Sequence, residues 1–346
     1  MVTFKLKEFL TLRTAGDTVV VQHTDGQVRS FAMDAAEREV LQRLLSHQGL
    51  DDAALAAWQS PLKDYFLEQD LFREEEGQPA HRERHDLYLD YIAYKYATPI
   101  DKQQLEAKRV LVLGAGGGGA GVLYQLAQLG IKELAVADFD TVSETDIRRS
   151  MVYRKRHIGQ KKTTVLQQEL GENFGTALTI FDVKIDAGNI NRILSSGRYD
   201  LVVNGIDPDP EHKMILNRLC HQYRVPVLFI AYSYEMLLVG PLVVPGSTSC
   251  YESYNKHVRE TVEGRFDFYS IRRMPSDYLH HPSANFSINM LCAFAVRDIL
   301  FFLAGKYEIV ATWGTLLFLD GVGMSIDTFE LNCTDDCPVC KPGPTL

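Results

Sequence analysis

What the 346-residue sequence lacks narrows its class first. It has no excess of basic charge: 36 lysines and arginines stand against 45 aspartates and glutamates, a formal net charge of −9. A general nucleic-acid binder neutralises phosphates with a basic face, so this balance argues against one. The first residues, MVTFKLKEFLTLRT, lack the uninterrupted apolar core and small-residue cleavage site of a signal peptide. A bilayer-spanning run is missing too. The most apolar stretch, 290–304, is interrupted by Arg297 and Asp298 and reads as a buried helix. No internal repeat or low-complexity tract is apparent. A cytoplasmic protein that binds neither membrane nor nucleic acid is expected. There its six cysteines stay reduced, and their spacing suggests metal before disulfide.

The chain then divides by pattern. Residues 4–12, 18–23 and 27–33 read as three short strands, separated by Ala15-Gly16-Asp17 and Asp25-Gly26. Helical spacing follows over 35–45, 52–58 and 62–69, with Asp34 as one cap and Ser60-Pro61 as another start. Three strands and three short helices make a winged-helix-like unit, taken as residues 1–80, with the polar stretch 73–79 as its linker. A helix is expected over 84–96. Beyond it lie apolar runs at 109–113, 133–137, 177–181, 201–203 and 227–230, alternating with helical stretches. Continuous apolar strands suit a parallel sheet covered on both faces. Residues 81–346 therefore read as an α/β, doubly wound, Rossmann-like domain. Further strands are expected at 238–243 and 249–251, and 253–285 reads as a long crossover loop.

After the strand at 109–113 comes a glycine loop in which Gly114, Gly116 and Gly119 give G-x-G-x-x-G spacing, with Gly117 between them, before a helix. Such glycines let backbone N–H groups approach phosphate at a helix N-terminus. The next strand ends at Asp138 and Asp140, and Asp138 is placed to accept from ribose hydroxyls. These two features alone fit an NAD-dependent dehydrogenase as well as an ATP enzyme. The segment from Arg148 to Lys162 favours ATP, because it adds Arg149, Arg154, Lys155, Arg156 and Lys161. Leaving pyrophosphate calls for that charge and a dinucleotide does not. The competing reading is a solvated basic face.

The run Asp138-Phe-Asp140-Thr-Val, then Thr145-Asp146-Ile-Arg148-Arg149-Ser150, then Gly159-Gln-Lys161-Lys162 resembles the ThiF/MoeB superfamily of ubiquitin-activating-enzyme-like adenylating proteins. The likeness covers about residues 85–346. It implies that ATP is bound by Gly114, Gly116, Gly117, Gly119, Asp138, Asp140, Arg148, Arg149 and Lys162, with Arg149 and Lys162 on its phosphates. It also implies that Asp207 holds Mg²⁺, with Asp209 in reserve. Asp146 stands where the family pattern has asparagine, and Ser150 where it has glutamine. A carboxylate beside triphosphate requires compensation, by Arg148 or by a metal. The resemblance further implies a homodimer in which an arginine crosses to the partner's site; Arg82 and Arg84 are the candidates.

Members of the superfamily often hold structural zinc in two C-x-x-C pairs. Cys337 and Cys340 keep the second pair, whereas the first has become Cys250-Tyr-Glu-Ser253. A site of Cys250, Cys333, Cys337 and Cys340 is expected, against a decayed site tethered by packing alone. Cys220 and Cys292 lie on apolar helix faces and read as core. With its front unit, the layout resembles peptide maturases of the microcin C and pantocin A type. A winged helix there offers a strand edge to a leader peptide; the helix over 34–45 carries too much acid for DNA. The implied activity is ATP-dependent activation of a precursor peptide's carboxylate, at its C-terminus or on a glutamate side chain. Cyclisation or formation of an amide or N–P bond would follow, with divergence inclining towards side-chain cyclisation. A sulfur-carrier adenylyltransferase and a non-catalytic peptide-binding scaffold are the alternatives.

Overall fold

The computed structural model describes residues 2–7, 10–24, 26–46, 48–76, 84–96, 100–206, 210–233, 235–262, 283–334 and 336–340. The chain divides into two compact units, Met1–Ile100 and Asp101–Leu346. The expected boundary at 80/81 lies outside the described residues.

The first unit contains β1 (Val2–Leu6), β2 (Leu10–Ala15), β3 (Thr18–His23), β4 (Val28–Ala32), α1 (Ala35–Leu45), α2 (Asp52–Ala57), α3 (Pro61–Glu68), β5 (Phe72–Glu76) and α4 (Arg84–Lys95). The first three helices each start on a polar cap, which satisfies an orphan backbone donor. The Asp34 carboxylate accepts from the Glu37 N–H at 2.8 Å, Asp51 from Ala54 at 2.7 Å and the Ser60 hydroxyl from Leu62 at 3.0 Å. Strands β2, β3 and β4 form a three-stranded antiparallel sheet. Alternation in β3 turns Val19 and Val21 inward, where they meet Leu41, Leu44, Leu62 and Phe66 in one core. Two expectations are corrected here. Residues 4–12 are not one strand: β1 leaves the meander and pairs antiparallel with β5. The polar stretch from Arg73 is therefore not a linker at its start but a strand, in which Glu75 forms a largely buried ion pair with Lys5.

The second unit runs α5 (Lys102–Glu106), β6 (Arg109–Leu113), α6 (Gly117–Gln128), β7 (Glu133–Ala137), α7 (Glu144–Ile147), α8 (Lys162–Phe174), β8 (Ala177–Phe181), α9 (Ala187–Ser195), β9 (Leu201–Asn204) and α10 (Pro210–Tyr223). It continues with β10 (Val227–Ser233), β11 (Met236–Val243), α11 (Tyr251–Val262), α12 (Asn285–Leu303), β12 (Thr315–Asp320) and β13 (Ser325–Glu330). Its strands form one eight-stranded sheet of order β13-β12-β11-β10-β9-β6-β7-β8. The strands from β8 to β10 are parallel, and β11, β12 and β13 extend the sheet antiparallel. Parallel strands buried on both faces need apolar residues throughout, which explains runs such as RVLVL at β6 and LVVN at β9. The expected strand at 249–251 is instead the approach to α11, and the expected loop at 253–285 begins as that helix; 263–282 lies outside the description. Helix α12 is long and apolar enough to span a bilayer, yet 67% of its apolar window is buried in the unit. It packs on α6 as a core helix, as its sequence suggests.

From β6 the chain winds outward through β7 to β8, then returns to place β9 on the other side of β6. The connections part company between β6 and β9. In open α/β sheets such a reversal leaves a crevice beyond the carboxyl ends of the two strands, where ligands bind.

Candidate nucleotide-binding site

The glycine loop fills the carboxyl end of β6. Gly114 has φ +93°, and a Cβ there would sit 2.5 Å from Ile206 Cγ2. A Cβ on Gly119 would lie 2.0 Å from the Gly114 carbonyl oxygen, so only glycine allows the loop to fold back on its own helix. Gly116 is the N-cap of α6 and brings no side-chain acceptor, and the space where its Cβ would stand is open. The first N–H groups of α6, left without intrahelical acceptors, are donors of the kind that bind phosphate at a helix start.

Asp138, just beyond β7, holds this loop. One carboxylate oxygen accepts from the Ala115 N–H at 2.6 Å and the other from the Asp140 N–H at 2.7 Å. Two backbone bonds leave lone pairs for a ribose hydroxyl, but the geometry first makes Asp138 an anchor. The opposite side of Ala115 is held by a residue that motif reading missed. The Tyr153 hydroxyl, fully buried, donates to the Ala115 carbonyl at 2.6 Å. Burial pushes the Tyr153 phenol well above its ordinary range, and the charges of Asp138, Asp146 and Asp140 add to the effect, so it remains a donor. Nothing in the sequence shows that the segment carrying Tyr153 crosses the glycine loop, and the tyrosine therefore attracts no notice there.

The segment between β7 and α8 brings the remaining groups. Its backbone passes directly over the loop: a Cβ on Gly117 would lie 2.5 Å from the Arg149 carbonyl oxygen. Asp146 is 1% exposed and closes a capping box at α7, accepting from the Ser143 N–H at 2.9 Å and the Ser143 hydroxyl at 2.8 Å. Its other oxygen accepts from Arg149 Nη2 at 2.8 Å and lies 3.6 Å from Lys162 Nζ. Lys162, also buried, reaches Asp140 at 3.2 Å. Burial alone would raise the Asp146 pKa, but the Ser143 hydrogen bonds and the charges of Lys162 and Arg149 outweigh it and hold the carboxyl below its ordinary value. Arg149 Nη1 also donates to the Tyr232 hydroxyl at 3.4 Å.

This geometry corrects two expectations. Arg148 does not compensate Asp146: it is exposed and makes no ion pair among the described residues, while Arg149 and Lys162 do the compensating. Nor does the basic segment converge as a whole. Arg156 pairs with Glu169 at 2.7 Å and Lys161 with Asp182 at 2.9 Å, both towards solvent. Ser150, in place of glutamine, accepts from the Val152 N–H at 3.1 Å and shapes the turn into Tyr153.

On the β9 side, the Gly205 N–H donates to the Leu113 carbonyl at 2.9 Å, and the Asn204 amide donates to the Ile206 carbonyl at 2.8 Å. The turn therefore leads from β9 straight against Gly114. Asp207 and Asp209, which come next, lie outside the described residues. Arg84 is the exposed first residue of α4 in the first unit, and Arg82 lies outside the description.

Residues 91–339 match the ThiF family. The chain belongs to the ThiF family. Among solved structures, Escherichia coli MccB with succinimide has a TM-score of 0.74 at 19% identity, covering 98% of this chain and 99% of that one. At that identity the likeness is one of fold. The SAMP-activating enzyme E1 of Haloferax volcanii is 26% identical over 261 residues, 75% of this chain and 89% of the relative. The SUMO-activating enzyme subunit uba-2 of Caenorhabditis elegans is 26% identical over 178 residues, 51% of this chain but only 30% of the relative's length.

A second cluster lies away from the glycine loop. The thiols of Cys250, Cys337 and Cys340 all fall within 4.8 Å of one another. Tetrahedral zinc thiolates stand about 3.8 Å apart, so three corners fit. The expected fourth ligand, Cys333, is outside this group: it is exposed, and its Sγ lies 2.6 Å from Cys340 Sγ, too near for two thiolates on one ion, while Ser253 Oγ lies 3.3 Å from Cys340 Sγ. Burial opposes ionisation at Cys337, but N–H groups of Cys340 and Val339 and the Ser253 hydroxyl outweigh it and bring that thiol to about 7. Burial pushes Cys250 up to about 12. Cys220 and Cys292 are buried in apolar surroundings, as expected of core residues.

Proposed function

We propose that this ThiF-family adenylyltransferase uses ATP to activate a carboxylate of a ribosomally made precursor peptide. The observation that carries the reading is the length of the fold match: it spans 98% of the chain, so the first unit is included with the nucleotide domain. MccB has also been solved as a microcin C7 biosynthetic enzyme in complex with N-formylated MccA. In the first unit, β2 and β4 each pair on one side only among the described residues, which leaves strand edges where an extended leader can add.

The peptide carboxylate would attack the α-phosphorus of ATP. A bond from carboxylate oxygen to phosphorus forms, the bond to the bridging oxygen breaks, and pyrophosphate leaves with the electron pair. Arg149 and Lys162 stabilise that charge, and the N–H groups at the start of α6 hold phosphate. Asp207 would hold Mg²⁺, which adds further neutralising charge. Zinc held by Cys250, Cys337 and Cys340 would be structural. In a homodimer, Arg84 of a second copy can complete the site. Capture of the acyl group by a nucleophile of the peptide then gives a ring or an amide as AMP leaves; an N–P bond would instead require a peptide nitrogen to attack the α-phosphorus of a further ATP, with pyrophosphate leaving.

A sulfur-carrier or ubiquitin-like substrate is the second reading, favoured by the 26% identical activating enzyme whose match spans 75% of the chain. Pyrophosphate–ATP exchange separates the two. Exchange is expected with a leader-bearing peptide and not with a folded carrier ending in Gly-Gly; the reverse result would overturn the peptide reading. Arg149→Ala and Lys162→Ala should each lower exchange on the order of 10²-fold or more.

A further inference from the structure

Asp146 is a carboxylate at the one place where a triphosphate site should tolerate it least, and the family pattern has asparagine there. Its surroundings explain it. Both oxygens are engaged, one by the Ser143 backbone and hydroxyl, the other by Arg149 with Lys162 3.6 Å away. Its charge is already matched by two cations, so its repulsion of phosphate is small. What it does instead is hold two like charges together. Arg149 and Lys162 lie 2.8 and 3.6 Å from the same Asp146 oxygen. Without that oxygen they repel each other, and Lys162 keeps only the half-exposed Asp140 as an ion-pair partner among the described residues.

We propose that Asp146 is a positioning residue that aims Arg149 and Lys162 together at the phosphates of the nucleotide. The proposal rests on the nucleotide reading above but not on the identity of the peptide. Arg149 Nε is buried and finds no partner among the described residues, so the guanidinium is not fully satisfied by the protein. The capping box gives Asp146 its fixed place, because Ser143 locks one oxygen and thereby turns the other towards the cations.

Titration calorimetry with adenosine, AMP, ADP and Mg-ATP tests this, using the full chain. Asp146→Asn keeps shape and an acceptor for Ser143 while removing the charge; Asp146→Ala removes both. The expected result is a loss that grows with the number of phosphates: adenosine unchanged, and ATP weakened on the order of 10- to 100-fold. In an Arg149→Ala background the Asp146→Asn loss should shrink to the part carried by Lys162, because the Arg149 share acts through one contact. If Asp146→Asn weakens adenosine and ATP by the same factor, or neither, Asp146 is only a helix cap and the proposal is wrong. Should the unaltered protein bind no ATP, the nucleotide reading falls and takes this proposal with it. Loss of peptide-dependent exchange with intact ATP binding in Asp146→Asn would also overturn it, since the aim at the phosphates would then be undisturbed.

Discussion

The imidazole of His157 sits 6% exposed inside the segment between β7 and α8. Its Nδ1 accepts from the Arg154 N–H at 3.2 Å, and its Nε2 lies 3.3 Å from Glu169. That pattern requires the neutral ring, since protonated Nδ1 would face another donor. Burial disfavours the imidazolium, Arg156 and Arg154 push the same way, and Glu169 only partly opposes them, so the pKa is held below its ordinary 6.5. The unfolded chain therefore takes the proton first. The contribution to stability is complete above the unfolded value and declines as pH falls through it towards the folded one. Urea melts between about pH 8 and about pH 5 should show this decline, and His157→Gln should flatten it. An equal slope in both proteins would remove His157 from the account. The same segment marks where the sequence was legible. Arg149 and Lys162 stand out by motif, but the role of Asp146 depends on three partners that meet only when α7 is capped and α8 begins. Single positions in a string do not show such a meeting.

At the level of elements, α6 and α12 touch through small residues. A Cβ at Gly121 would lie 2.6 Å from Cys292 Sγ but 3.6 Å from Cys292 Cβ. Gly121→Ala should therefore cost about 1–3 kcal/mol by overpacking. Adding Cys292→Ala removes the sulfur and should return most of that loss; a double variant no more stable than Gly121→Ala in chemical denaturation would contradict the contact. Strands β6, β7 and β9 could be read directly, because burial on both faces forces continuous apolar runs. β5 could not, since its sequence FREEE is strand only through its pairing with β1 and the Lys5–Glu75 contact. Nor could the start of α11. The Tyr251 N–H is capped by the Asn217 side chain at 3.0 Å, an acceptor 34 residues away. Read locally, Ser249-Cys250-Tyr251 looks like strand.

Across the whole chain, the thiol cluster joins Cys250 to the tail at Cys337 and Cys340. One zinc per chain is expected on metal analysis of purified protein. Its removal by a chelator should lower the melting temperature on the order of 5 °C, because a ligand held only by the folded state stabilises it. Cys340→Ser should lose the metal, and a metal-free protein of unchanged melting temperature would mean that packing alone holds the tail. The nucleotide cradle has the opposite character. Asp138, Asp140, Asp146, Tyr153 and Lys162 all lie between the start of β6 and the end of α8. Contacts so near in sequence close with little loss of chain entropy and form early. During synthesis, the emerging polypeptide can therefore lay down β6, β7 and the glycine loop while the tail cysteines are still untranslated. The thiol cluster can close only once Cys337 and Cys340 have emerged.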